Sequence, residues 1–91
     1  MGKCDKLLQK AQDSPDNLSF EELCSLAICY GFVFKRQEGT SHRIYQHPEL
    51  GRSGFMNFQS VGGKAKPYQV RQLLKAIKLL ETAISGEASN E

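Results

Sequence analysis

Residues 32–47 read FVFKRQEGTSHRIYQH. An aromatic and branched run over residues 32–36 is followed by a glycine-containing turn at residues 37–40. A second run then extends from Ser41 to His47 and alternates between polar and apolar residues. This pattern is typical of a short β-hairpin. The turn places His42 at the start of the second strand of that hairpin.

The sequence before the hairpin predicts two helices. Ser19 and Glu22 have the spacing of a capping box, in which each side chain accepts a hydrogen bond from a backbone N–H of the other. Apolar residues recur at helical spacing after Ser19, and Gly31 ends the pattern. We therefore expect one helix over residues 20–30. A shorter helix is predicted over residues 3–12.

The sequence after the hairpin predicts a third strand and a third helix. Residues 55–59 alternate, so Met56 and Phe58 should face one side of the sheet. A basic, mobile loop is predicted at residues 61–66. Pro67 then suits a first helical turn, and an apolar stripe predicts a helix that ends near Ala83.

The resulting order, α-α-β-β-β-α, indicates an α+β fold: a two-layer sandwich with a three-stranded antiparallel sheet and helices on one face. We expect a helical N-terminal extension at residues 1–17, a folded domain at residues 18–84 and a disordered acidic tail at residues 85–91. The outer face of the sheet should be polar or basic. Core positions are predicted for Phe32, Phe34, Leu74 and Ile77.

Size and charge limit the possible functions. With 91 residues and 40% hydrophobic content, the chain has room for one small core, which disfavours a large-cofactor enzyme. The net charge is +2, but residues 31–75 contain eight basic and two acidic residues. That concentration suggests an anionic partner such as nucleic acid or an acidic protein, although a solvated basic surface is the simpler alternative.

The cysteines and the N-terminus predict a soluble cytoplasmic protein. Cys4, Cys24 and Cys29 contain no CxxC pair, so we expect neither a disulfide framework nor a zinc site. No apolar run is long enough for a signal peptide or a membrane span.

Several stretches together resemble one protein family. They are residues 20–32, the run GTSHRIY at residues 39–45 with His47 and Pro48, residues 56–59, and the run GKAKPYQVRQ at residues 63–72. In this combination the chain resembles the HicA toxins, which are small ribonucleases of type II toxin–antitoxin systems.

The resemblance implies a fold like that of the double-stranded-RNA-binding domain and cleavage of mRNA without a metal ion or other cofactor. The family's catalytic histidine falls on His42. The implied partners are mRNA and an HicB antitoxin. We expect the free protein to be a monomer and the complex with the antitoxin to be a hetero-oligomer.

Alternation along the second strand predicts which way its side chains point. His42 should share a face with Ile44, which we expect to point to the helices, while Arg43 and Tyr45 face outward. His42 would then lie near the rim of the sheet, close to the start of the last helix. RNA contacts are predicted for Lys35, Arg36, Ser41, Arg43, Tyr45, Lys64, Lys66 and Arg71.

The residues leave some questions open. His47, just before Pro48, is expected to make a local hydrogen bond and is the weaker candidate for catalysis. No second carboxylate or histidine forms a recognisable pair with His42. A non-catalytic RNA-binding module and a basic subunit that meets an acidic partner are the alternative functions.

Overall fold

The computed structural model describes residues 2–89, with side chains described for residues 2–82. Over these residues it contains three α-helices, four β-strands and two short 3-10 turns. The elements are α1 (Lys3–Asp13), α2 (Phe20–Cys29), β1 (Val33–Glu38), β2 (His42–Gln46), β3 (Phe55–Val61), β4 (Lys64–Ala65) and α3 (Pro67–Ser89). The predicted α+β class and the order of the main elements are confirmed.

The sheet has one strand more than predicted. Its order is β1-β2-β3-β4, and each neighbouring pair is antiparallel. Gly62 and Gly63 both have positive φ, +61° and +82°, which is the requirement of a tight two-residue hairpin turn. The predicted loop at residues 61–66 is therefore wrong, because the glycine pair closes a short β3–β4 hairpin.

The predicted cap at the start of α2 is confirmed. Glu22 N–H donates to Ser19 Oγ at 3.0 Å, and Ser19 N–H donates to Glu22 Oε1 at 2.9 Å. Lys10 Nζ of α1 also lies 2.9 Å from Glu22 Oε1. The backbone hydrogen bond from Ser19, followed by the interactions with Lys10, lowers the pKa of the Glu22 carboxyl.

The core lies between the helices and one face of the sheet. Met56 and Phe58 are buried there, as their alternation predicts, together with apolar residues of all three helices. Phe32 and Ile77 are buried and Leu74 is partly buried, as predicted. Phe34 is wrongly predicted as core, because it lies on the edge strand β1 and is 48% exposed.

The two faces of β2 are the reverse of the prediction. Arg43 pairs with Phe58 across the β2–β3 ladder, and Tyr45 pairs with Met56. Directly opposite residues share a face, so Arg43 and Tyr45 point to the helices. His42 and Ile44 lie on the opposite face, although Ile44 is itself buried. We call that opposite face, whose residues His42 and Ile44 lie outside the main core cluster, the open face.

The helix α3 extends further than expected. It continues to Ser89 rather than ending near Ala83, so the predicted tail at residues 85–91 overlaps the end of the helix. Asn90 and Glu91 lie outside the described residues. In residues 2–89, no helix combines the length and the apolar character needed to cross a membrane.

A disulfide joins α1 to the end of α2, contrary to expectation. Cys4 and Cys29 are bonded, with their Cα atoms 5.8 Å apart, whereas Cys24 is free and buried. The two bonded cysteines are 25 positions apart in the chain, so no local pattern predicts the bond. The packing of α1 against α2 brings Cys4 beside Cys29.

Candidate functional site

His42 lies at the first position of β2, on the open face. Its direct cross-strand neighbours are Glu38 in β1 and Gln59 in β3. The residue is half-buried, and its imidazole has no hydrogen-bond partner among the described side chains and backbone. The ring therefore retains both nitrogens for a ligand or a proton transfer.

His47, the other histidine, uses both ring nitrogens in hydrogen bonds within the protein. It is 6% exposed; its Nε2 lies 3.0 Å from Tyr30 O, and Glu49 N–H donates to its Nδ1 at 3.1 Å. Because Nδ1 accepts a hydrogen bond, Nε2 is the ring nitrogen that donates to the Tyr30 carbonyl. Phe32 packs edge-on against the same ring at 5.0 Å. The predicted local hydrogen bond of His47 is confirmed.

The start of α3 lies one strand away from His42. Gln69, in the first turn of α3, accepts a hydrogen bond from Gln59 N–H at 2.9 Å and donates one to Asn57 O at 2.8 Å. It thereby satisfies β3 backbone groups beyond the end of the short strand β4. Because His42 is opposite Gln59, the Gln69 side chain reaches the backbone of the residue that is paired with the histidine.

A carboxylate and a guanidinium share the open face with His42. Arg36 is paired with Ile44 in the β1–β2 ladder, so Arg36 and Glu38 both point outward beside β2. Arg36 Nε donates to Glu38 Oε2 at 2.9 Å. Their side chains are 63% and 48% exposed, so both groups are accessible to a ligand.

Arg43 and Tyr45 are not on the predicted RNA-facing side. Tyr45 is 2% exposed; burial, followed by its hydrogen bond with Cys24, raises the pKa of its hydroxyl to about 12. Arg43 Nη2 lies 3.1 Å from Glu21 Oε2, and its guanidinium lies 5.0 Å from the Phe20 ring centroid. The hydrogen bonds that Arg43 donates to the Glu21 carboxylate raise the pKa of Arg43. Both residues serve packing between the sheet and α2.

The remaining predicted contacts are spread around the domain. Ser41 precedes His42, and its carbonyl accepts a hydrogen bond from Ser60 N–H at 2.8 Å. Lys35 is exposed at a bulge in the edge strand β1, and Lys64 is exposed in β4. Lys66 immediately precedes α3. Arg71 is exposed in α3 and lies 3.7 Å from Asp16, away from the open face.

Three residues of the site were missed by the sequence analysis: Glu38, Gln59 and Gln69. Glu38 was assigned to the turn, whereas β1 extends to include it. The role of Gln69 depends on the contact between α3 and β3, for which the sequence has no local signal. Among the described residues, no three His, Cys, Asp or Glu side chains are grouped to hold a metal ion.

Comparison with known proteins identifies the family. The sequence model of the HicA toxin of bacterial toxin–antitoxin systems matches residues 20–79, which include every strand, all of α2 and more than half of α3. Searches of curated proteins and of solved structures give no significant match. The family match covers more than half of the 91 residues, so the chain belongs to the HicA toxin family.

Proposed function

We propose that this toxin is a metal-independent endoribonuclease that cleaves mRNA, with His42 as its catalytic residue. The observation that carries the proposal is the contrast between the histidines. His47 uses both ring nitrogens within the protein, whereas His42 is partly exposed on the open face and has no hydrogen-bond partner among the described residues. Membership of the HicA toxin family supports a nuclease activity of this kind.

The chemistry needs few protein groups, because RNA carries its own nucleophile in the ribose 2′-OH. Cleavage requires a base for that proton, an acid for the leaving 5′-oxygen and positive charge for the phosphate. A histidine near neutral pH can act as base or acid, which contributes about 100- to 10,000-fold to the rate. Preorganised arginine or lysine side chains stabilise the charge that develops on the phosphate.

The proposed RNA contacts surround His42 on two sides. Arg36 and Lys35 lie on β1, and Lys64 and Lys66 flank the β4 end of the sheet. Ser41 adds a hydroxyl next to the histidine. Arg71 lies beside Asp16, away from the open face, and would contact RNA only outside the site of cleavage. Tyr45 has no part in this interface because its ring is buried.

The proposed partner is an HicB-like antitoxin, and the proposed compartment is the cytoplasm, where mRNA is found. A reducing cytoplasm would open the Cys4–Cys29 bond. We expect a monomer that forms a hetero-oligomer when the antitoxin is added. Size-exclusion chromatography with light scattering measures both states, and a stable homo-oligomer that ignores the antitoxin would contradict this assignment.

His42→Ala tests the catalytic assignment. The substrate is an end-labelled mRNA transcribed in vitro and incubated with EDTA, so that divalent cations are sequestered. We expect the variant to lose at least about 100-fold in cleavage rate while RNA binding remains. Asn57→Ala is the matched control, because Asn57 is exposed on the same open face.

The outcomes separate the possible functions. Equal cleavage by the parent and by His42→Ala shows that His42 is not catalytic, and loss of parental cleavage in EDTA shows that a metal is required. A parent that binds RNA in a salt-dependent manner but never cleaves it favours the RNA-binding module. A parent without RNA affinity favours the basic subunit that meets an acidic protein.

A further inference from the structure

We infer that Glu38 is the second proton-transfer group of this site and takes the 2′-OH proton while His42 protonates the leaving oxygen. The inference rests on the proposed endoribonuclease function. It is carried by the strand register, which places Glu38 directly opposite His42 in the last pair before the hairpin turn.

The register brings the two side chains within reach of one phosphodiester. Directly opposite residues of an antiparallel pair have Cβ atoms about 4.5–5.5 Å apart and point to the same face. Glu38 and His42 therefore lie side by side on the open face. A scissile phosphate between them would have the carboxylate on one side and the imidazole on the other.

The other neighbours of His42 do not supply a second proton-transfer group. Gln59, the opposite residue in β3, has a neutral amide that can only form hydrogen bonds. The diagonal position in β1 is Arg36, which stays protonated. His47 points to the helices and has both nitrogens bonded. Glu38 is thus the carboxylate that the fold presents to His42.

The reaction balances with these two groups. The Glu38 carboxylate accepts the proton of the 2′-OH, and the 2′-oxygen forms a bond to phosphorus. The P–O5′ bond breaks, and the 5′-oxygen takes a proton from the His42 imidazolium. The products are a 2′,3′-cyclic phosphate end and a 5′-hydroxyl end, and exchange with water restores both side chains.

Arg36 supports this arrangement from the same strand. Its Nε–H donates to Glu38 Oε2 at 2.9 Å, which orients the carboxylate on the open face. The guanidinium has further N–H donors in a planar fork that matches a phosphate oxygen pair. Arg36 therefore serves as a positioning residue for Glu38 and as a phosphate contact.

Glu38→Gln tests the inference, because it keeps the shape of the side chain and removes the basic oxygen. We expect kcat on the transcribed mRNA to fall by about 100-fold or more, while KM does not rise. The kcat/KM profile should lose the fall at low pH that a protonated base produces. Glu38→Asp should keep part of the activity, since it retains a carboxylate.

Glu49→Gln is the matched control, because Glu49 is another exposed carboxylate, in the loop after β2. It should retain parental kcat. If Glu38→Gln stays within about threefold of the parent and keeps the low-pH fall, the inference is wrong. Activity lost in His42→Ala but kept in Glu38→Gln overturns this inference alone, whereas cleavage by His42→Ala at the parental rate overturns the proposed function itself.

Discussion

The two faces of the sheet use polar residues in different ways. On the helix-facing side, Arg43, Tyr45 and His47 are each held by a named partner: Glu21, Cys24 and Tyr30. On the open face, His42 has no partner among the described residues, and Glu38 and Arg36 are bonded only to each other at the surface. The first set comes from β2 and the residue after it, and the second set comes from β1 and β2.

This difference between the two faces indicates that the polar residues of the helix-facing side serve stability and those of the open face serve function. A buried polar group must be satisfied, because leaving it unpaired costs about 1–3 kcal/mol. The partners of Tyr45 and His47 are explained by that requirement, whereas the Arg43 side chain is 30% exposed and its pair with Glu21 lies partly in water. The grouping of His42, Glu38 and Arg36 on the open face has no such explanation, because these side chains are accessible to water. This face is therefore the better candidate for a ligand-binding surface. Four experiments test this division.

The largest effect is expected for His47→Ala. The change removes an edge-on contact with Phe32 and leaves Tyr30 O and Glu49 N–H without their partner. We expect the free energy of unfolding to fall by about 3–4 kcal/mol, from lost hydrogen bonds and the new cavity. Urea denaturation measures it. His42→Ala should change stability by less than about 0.5 kcal/mol; equal losses in both variants would contradict the division.

Opening the Cys4–Cys29 bond should have the next largest effect. The two residues are separated by 25 positions, and closing a loop of that length stabilises a fold by about 3 kcal/mol. Reduction with dithiothreitol should lower the midpoint of thermal unfolding. RNA cleavage below that midpoint should not change, because the bond lies among the helices. A loss of cleavage that accompanies the loss of stability would show that the helices also support the site on the open face.

A smaller, pH-dependent effect is expected for the cap of α2. The pKa of Glu22 is lowered in the folded state, so its contribution is complete above the unfolded value of about 4.5 and is lost as pH falls through the folded pKa. Glu22→Gln should cost about 1 kcal/mol near pH 7 and progressively less in acid. Urea denaturation at several pH values measures this slope. A constant difference across that range would show that the carboxylate charge is not responsible.

The smallest effect on stability is expected for Arg36→Gln. The ion pair with Glu38 is exposed, and such pairs contribute about 0–1 kcal/mol. We expect the free energy of unfolding to stay within about 0.5 kcal/mol of the parent, while RNA affinity falls. Lys78→Gln, an exposed cation of α3, is a control for the loss of one charge. A large destabilisation would assign Arg36 to structure instead of to RNA.

Local signals in the sequence predicted much of this fold. The cap formed by Ser19 and Glu22, the apolar stripe of α2, the hairpin around Gly39 and the start of α3 at Pro67 depend on residues close together in the chain. Neighbours in sequence fix such features directly. His42 at the start of a strand belongs to the same group, and the family resemblance, which the family match confirms, rests on these stretches as well.

Contacts between distant residues decided the rest. Alternation shows that His42 shares one face of β2 with Ile44 and that Arg43 shares the other with Tyr45. Each face therefore carries a residue suited to a core. For that reason alternation alone does not tell which face packs on the helices. The pairing of Tyr45 with Met56 and of Arg43 with Phe58 settles that choice. The Cys4–Cys29 bond and the placement of Glu38 beside His42 likewise depend on docking between separate elements. The sequence by itself determined the helices, the hairpin and the candidate histidine, because those are local properties; the tertiary structure alone decided which residues surround it.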